Sequence, residues 1–89
     1  MTTTQSDVWL PEPGTITMFT TPWCGYCKRL KTQLASKNIA WTEVDIEQQP
    51  EAALYVEQVN NGNQTVPTVV YPDGSAATNP SLADVLAAL

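Results

Sequence analysis

The chain has 89 residues, nine acidic against four basic side chains, a net charge of −5, two cysteines and no histidine. This length makes one small domain, and the acidic balance excludes the phosphate neutralisation on which general nucleic-acid binding depends and disfavours anionic membrane surfaces. No apolar run approaches the roughly 20 residues of a spanning helix, and residues 1–14 lack the basic start and apolar centre of a secretory leader, which predicts a cytoplasmic protein.

Residues 1–14 read as a flexible tail: Thr2 to Asp7 is polar, Trp9 and Leu10 can fold back, and Pro11 with Pro13-Gly14 marks a boundary. Residues 15–89 then form one domain. A buried strand is predicted over 15–20 and a helix over 24–37 with Cys27, Leu30 and Leu34 on its inner face; Trp41 to Ile46 alternates as a second strand. Pro50 opens a second helix, with Ala52, Val56 and Val59 inward and Asn61-Gly62 as its stop. Thr68 to Tyr71 is a third strand, turned by Pro72-Asp73-Gly74 into a short fourth at Ala76-Ala77-Thr78. Asn79 is expected to cap the last helix, with Pro80 at its first position and Leu82, Val85, Leu86 and Leu89 inward. The order is βαβαββα. The first βαβ requires a right-handed parallel crossover and the Asp73-Gly74 turn an antiparallel hairpin, so the fold class is α/β, a mixed four-stranded sheet flanked by three helices.

Both cysteines fall in Cys24-Gly25-Tyr26-Cys27, where the first strand gives way to the first helix. A cysteine at a helix start faces unpaired N–H groups and the positive end of the macrodipole, which favour thiolate over thiol. Cys24 is therefore expected to be the nucleophile. Cys27, one turn on and on the inner face, is expected to be the resolving thiol. A purely structural disulfide across so short a loop would constrain the unfolded chain by only about 2 kcal/mol. Zinc wants four Cys or His ligands, which one copy of this chain cannot supply. With no histidine, Cys-His catalysis is also excluded. Activation must come from helix amides, the dipole and nearby cations, and all four cations, Lys28, Arg29, Lys31 and Lys37, lie in the first helix. Lys28, a turn beyond Cys24, is the candidate tuner, the alternative being a solvated helix face.

Together with Thr65-Val66-Pro67 before the third strand, the cysteine motif makes residues 15–89 resemble the glutaredoxins, and so implies the thioredoxin fold. The resemblance implies a cis bond before Pro67 and a Val66 backbone free to pair with the cysteine moiety of a bound thiol. Where typical members have proline this chain has Gly25, and where they often have lysine it has Thr21. Their double glycine and following aspartate pair are replaced by Ala77-Thr78 and Pro80-Ser81. The version with Trp23 before the motif and Thr78-Asn79-Pro80-Ser81 before the last helix resembles the mycoredoxin branch, which implies mycothiol as reducing co-substrate, no bound cofactor or metal, and a monomer. The implied partners are mycothiol, mycothiolated proteins and, indirectly, an NADPH-dependent mycothiol disulfide reductase. On this reading Trp23, Tyr26, Val66, Pro67, Thr78 and Asn79 bind substrate. For Trp23 and Tyr26 the alternative is packing on their own domain. Two other functions compete: a ribonucleotide-reductase donor reduced by thioredoxin reductase, and a dimer bridging an iron-sulfur cluster through Cys24.

Overall fold

Alternation along the first strand decides the architecture. The computed structural model describes residues 8–89, and within them the elements are β1 (Ile16–Thr20), α1 (Gly25–Ser36), β2 (Trp41–Asp45), α2 (Pro50–Val59), β3 (Thr68–Val70), β4 (Ala76–Thr78) and α3 (Leu82–Ala88). The sheet order is β2-β1-β3-β4. β1 runs parallel to β2 and antiparallel to β3, which is antiparallel to β4. All five β1 residues are buried, as befits a strand with neighbours on both edges and helices on both faces. Ile16 and Met18 join Val69, Tyr71, Leu30, Leu34 and Val85 in a core under α1 and α3. Phe19 joins Val44, Ile46, Val70, Ala52, Tyr55 and Val56 in a second core under α2.

The helix ends follow from their sequences. At the end of α1, Asn38 adopts a left-handed φ of 58°, while Ile39 N–H donates to Leu34 O at 3.0 Å and Asn38 N–H to Ala35 O at 3.1 Å. These two bonds form a Schellman closure. α2 ends alike, with Asn61 at φ 55° and Gly62 N–H donating to Glu57 O at 2.7 Å. The β3–β4 turn is held by Asp73, whose carboxylate accepts from Ser75 N–H at 2.9 Å and Ser75 Oγ at 2.6 Å; those bonds hold its pKa below the ordinary value.

Four expectations change. Ser81 caps α3, in place of Asn79: Asp84 N–H donates to Ser81 Oγ at 3.0 Å and Ser81 N–H to the Asp84 carboxylate at 3.1 Å. This capping box satisfies two donors at once, and Pro80 keeps Asn79 out of helical geometry. In α3 only Val85 is fully buried and Leu82 partly; Leu86 and Leu89 are exposed, because a seven-residue helix has one side against α1 and the sheet. In α2 the inner stripe is Ala52, Tyr55 and Val56, with Val59 exposed, since the Tyr55 ring lies 5.3 Å from that of Phe19. Finally, packing begins before residue 15. Residues 1–7 of the expected tail lie outside the described residues, but Trp9 sits edge-on to Phe19 at 5.3 Å, and Thr17 Oγ1 donates to Trp9 O at 2.6 Å. No helix among the described residues is long and apolar enough to cross a membrane.

Glu43 ties β2 to α1. Its carboxylate accepts from Lys31 Nζ at 2.9 Å and Thr20 Oγ1 at 3.0 Å, and the Lys31 bond leads the effects that hold its pKa below the ordinary 4.5 against a smaller opposing push from burial. A depressed carboxylate stabilises the fold above its unfolded pKa, and that contribution disappears as pH falls through the folded value. Glu43→Gln should cost no more than about 1 kcal/mol near neutrality, as for other exposed pairs. The difference from the parent should shrink as pH falls below 4.5, measured by urea unfolding across that range. A difference independent of pH would show that the Glu43 charge contributes nothing.

Candidate active site

Strand register brings the motif residues together at one end of the central strands. β1 ends at Thr20, and the chain turns through Thr21 to Cys24, whose N–H donates to Thr21 O at 3.3 Å. Across β1, Phe19 faces Thr68, which puts Val66-Pro67 beside that end. Thr68 in turn faces Thr78, and Asn79 N–H donates to Pro67 O at 2.7 Å, so the β4–α3 turn lies against the proline loop. On the other side Thr20 faces Asp45 at the end of β2, which leads into Glu47. Pro67 follows a cis peptide bond and is buried, as the resemblance implied.

Cys24 is the N-cap of α1, with extended backbone at φ −84° and ψ 108°. Its sulfur accepts the Cys27 N–H at 3.0 Å. The cysteine side chain thus fills the role that Ser, Thr, Asp or Asn usually has at a cap, and a thiolate there would accept that bond more strongly than a thiol. Cys24 and Cys27 are joined as a disulfide, with Cα atoms 5.3 Å apart. Cys24 retains 5% exposure and Cys27 none, so in the disulfide form both cysteines are buried, Cys24 included although the helix start was expected to expose it.

Around them the surface is aromatic. Trp23 is 70% and Tyr26 63% exposed, so neither packs into the domain. Trp23 is held instead by Glu47, which accepts its indole N–H at 2.8 Å, and Glu47 is fixed by its own N–H donating to Asp45 Oδ1 at 2.8 Å. Lys28 is exposed, one turn from Cys24, and forms no ion pair among the described residues. Lys31 is committed to Glu43. Thr21, in the usual lysine position, is buried, and its hydroxyl has no hydrogen-bond partner among the described residues.

A groove of about 220 Å³ opens between α1 and the start of α3, lined by Tyr26, Arg29 and Gln33 on one side and Asn79 and Ser81 on the other. Asn79 takes a left-handed φ of 47° there. Sequence reasoning placed Tyr26 and Asn79 at the site but missed Arg29, Gln33 and Glu47. The spacing of Tyr26, Arg29 and Gln33 on one helical face carried a signal for the first two omissions; no local signal pairs Glu47 with Trp23, 24 residues away.

Known proteins resemble this chain in sequence and in fold. The glutaredoxin family model matches residues 16–75. A Mycobacterium tuberculosis protein named as a glutaredoxin is 57% identical over 74 residues, covering 83% of this chain and 88% of the relative. Mycoredoxin 1 of Corynebacterium glutamicum is 43% identical over 72 residues, covering 81% and 89%. Among solved structures, a thioredoxin-like protein superposes with a TM-score of 0.70 at 25% identity, covering 84% of this chain and 100% of that one. A wheat glutaredoxin superposes at 0.66 and 15% identity, covering 92% and 74%, and so supports the fold. With the C-x-x-C pair at the strand-to-helix junction, these matches place the chain in the glutaredoxin family, as a thiol-disulfide oxidoreductase of the thioredoxin fold.

Proposed function

We propose that the protein removes mycothiol from mixed disulfides, with Cys24 as the nucleophile and mycothiol as the reductant. The Cys24 thiolate attacks the mycothiol sulfur of the mixed disulfide; the S–S bond breaks, the substrate leaves as its thiolate and takes a proton, and Cys24 carries mycothiol. A second mycothiol thiolate attacks that capping sulfur, forming mycothiol disulfide and freeing Cys24. An NADPH-dependent reductase returns the disulfide to two thiols. In the competing branch Cys27 attacks Cys24 Sγ and expels mycothiol, giving the intramolecular disulfide. The observation that carries the nucleophile assignment is the sulfur cap on α1.

Mycothiol as the thiol is supported by the likeness to mycoredoxin 1 and by how the start of α3 is used. Pro80 with Ser81 replaces the family's aspartate pair, and Asp84, the acidic residue in the first turn of α3, is turned back onto the Ser81 N–H in the capping box, so glutathione's ammonium group loses the carboxylate pair that the family supplies there. A charged group left without a partner on binding gains nothing and loses water. An uncharged pseudo-disaccharide avoids that cost. We assign its sugar portion to the groove between α1 and α3. Gln33, Asn79 and Tyr26 offer acceptors as well as donors, which suits hydroxyl groups, and the exposed Tyr26 ring offers an apolar face. At 220 Å³ the groove takes one ring, well short of the roughly 300–1,000 Å³ that encloses a drug-sized ligand.

Three outcomes are expected. Cys24→Ser should abolish turnover, while Cys27→Ser should keep activity within about tenfold of the parent on mycothiol mixed disulfides, since attack depends on the Cys24 thiolate. Equal loss in both would defeat the one-cysteine cycle. In the reduced protein, the Cys24 thiol should titrate below the free value of about 8.5, and Lys28→Glu should raise it. A value at or above free cysteine, followed by ultraviolet thiolate absorbance, would remove the cap as the cause of activation. A mycothiol mixed disulfide with mycothiol and its reductase should turn over faster than a glutathione mixed disulfide with the glutathione system. Arg29→Ala combined with Gln33→Ala should erode that preference by roughly tenfold, as expected for two lost hydrogen bonds. Comparable parent rates with glutathione would defeat the mycothiol reading, and rapid direct reduction by thioredoxin reductase would favour a ribonucleotide-reductase donor.

A further inference from the structure

One side-chain amide joins three segments that are separate in sequence. Asn60, the C-cap of α2, donates from Nδ2 to Val56 O at 2.8 Å and to Thr68 Oγ1 at 3.0 Å. Its Oδ1 accepts from Thr78 Oγ1. Thr68, fully buried, passes its own hydroxyl proton to Thr65 O at 2.7 Å. The hydrogen bond from Asn79 N–H to Pro67 O closes the ring. Both amide donors and the amide oxygen are used, and chained bonds of this kind polarise one another.

The bond to Val56 O serves the end of α2, but the bonds to Thr68 and Thr78 are needed neither to end the helix nor to pair the strands. α2 is closed by the backbone at Asn61 and Gly62, and Thr68 already faces Thr78 in the β3–β4 ladder. What the Asn60 amide adds is the position of Thr65-Val66-Pro67 relative to Thr78-Asn79. We infer that Asn60 is a positioning residue, a clamp that holds these two segments in the spacing a bound thiol requires. The inference rests on the proposal that Val66-Pro67 and Thr78-Asn79 form the thiol-binding edge. Thr78 then acts through Asn60, because its hydroxyl proton is directed to the amide oxygen.

The test uses the full chain and the mixed disulfides of 2-hydroxyethanethiol with mycothiol and with N-acetylcysteine. Asn60→Ala and Thr78→Val should each raise KM roughly tenfold while leaving kcat and the Cys24 thiolate pKa unchanged, since a misplaced binding edge weakens capture without altering the nucleophile. Thr78→Ser, which restores the hydroxyl that bonds the Asn60 amide, should recover most of the KM lost in Thr78→Val. The double variant should be no worse than the poorer single one, because both remove the same link. KM within twofold of the parent in folded Asn60→Ala and Thr78→Val, a loss confined to kcat, or additive losses would overturn the clamp. Should Asn60→Ala not fold, Asn60→Asp, which keeps the side-chain shape but loses the donors to Val56 and Thr68, decides the matter by the same rise in KM, and a KM within twofold of the parent there would overturn the clamp. A parent that does not prefer the mycothiol disulfide would count against the mycothiol reading alone, and the clamp is then judged on whichever mixed disulfide the parent turns over.

Discussion

The hydrogen bond from the Cys27 amide to the Cys24 sulfur is where fold and chemistry meet. A helix must satisfy its first N–H groups from outside, and a neutral cysteine is a poor acceptor compared with serine or aspartate. Placing Cys24 at that position leaves α1 undersupplied until the sulfur carries charge. The same geometry that the helix needs is therefore the geometry that favours the thiolate, with no histidine in the chain to act as base. The strand before it fixes where this happens. β1 is buried along its whole length, so the cap is anchored at a rigid strand end.

Charge is distributed in support of the same end. The protein is acidic overall, with its cations confined to α1 and its C-cap Lys37, and Glu43 engages Lys31 on the flank facing β2. Lys28 and Arg29, closer to the cysteines, form no ion pair among the described residues. These two cations near the cysteines favour negative charge there, against the carboxylates of Asp45 and Glu47 at the β2 exit. Glu47 contributes differently, by holding Trp23 against the β2 exit and keeping the indole ring at the rim.

How much could be read from the sequence depended on the range of each interaction. The junction at Cys24 was legible because the apolar period changes there from strand-like to helical and both cysteines follow within one turn. Asn61-Gly62 and Asp73-Gly74 were legible as local turn chemistry. The cap of α3 was misread although its signal was present: Asn79 and Ser81 are both good caps, but only Ser81 has a carboxylate three residues on, at Asp84. Leu86 and Leu89 were placed inside because periodicity marks a face without marking how far the neighbouring layer extends. Pro67 was identified through family resemblance, since a strand-start proline alone does not announce a cis bond. Asn60 and Glu47 were invisible as site residues, and Glu43 as a tie between β2 and α1, because their partners come from other elements, up to 24 residues away.

Gly25 shows what the family's proline position does in this chain. It is the first residue of α1, and a Cβ built there would meet no atom within 4 Å; its backbone is not left-handed, so neither space nor conformation demands glycine. Proline at a first helical position is preorganised, because its missing N–H would be unpaired there anyway. Where the native backbone tolerates the change, replacing glycine with proline usually stabilises a protein by about 0.4–1 kcal/mol through the unfolded chain. Glycine therefore leaves the turn between the two cysteines less restrained than a proline would once the disulfide opens. The cap bond from Cys27 then carries more of the task of holding the reduced turn, and it does so best when Cys24 is a thiolate. On the proposed mechanism, chain freedom at Gly25 and charge at Cys24 are thus coupled, because the Cys27 cap bond is strongest when the Cys24 sulfur is charged.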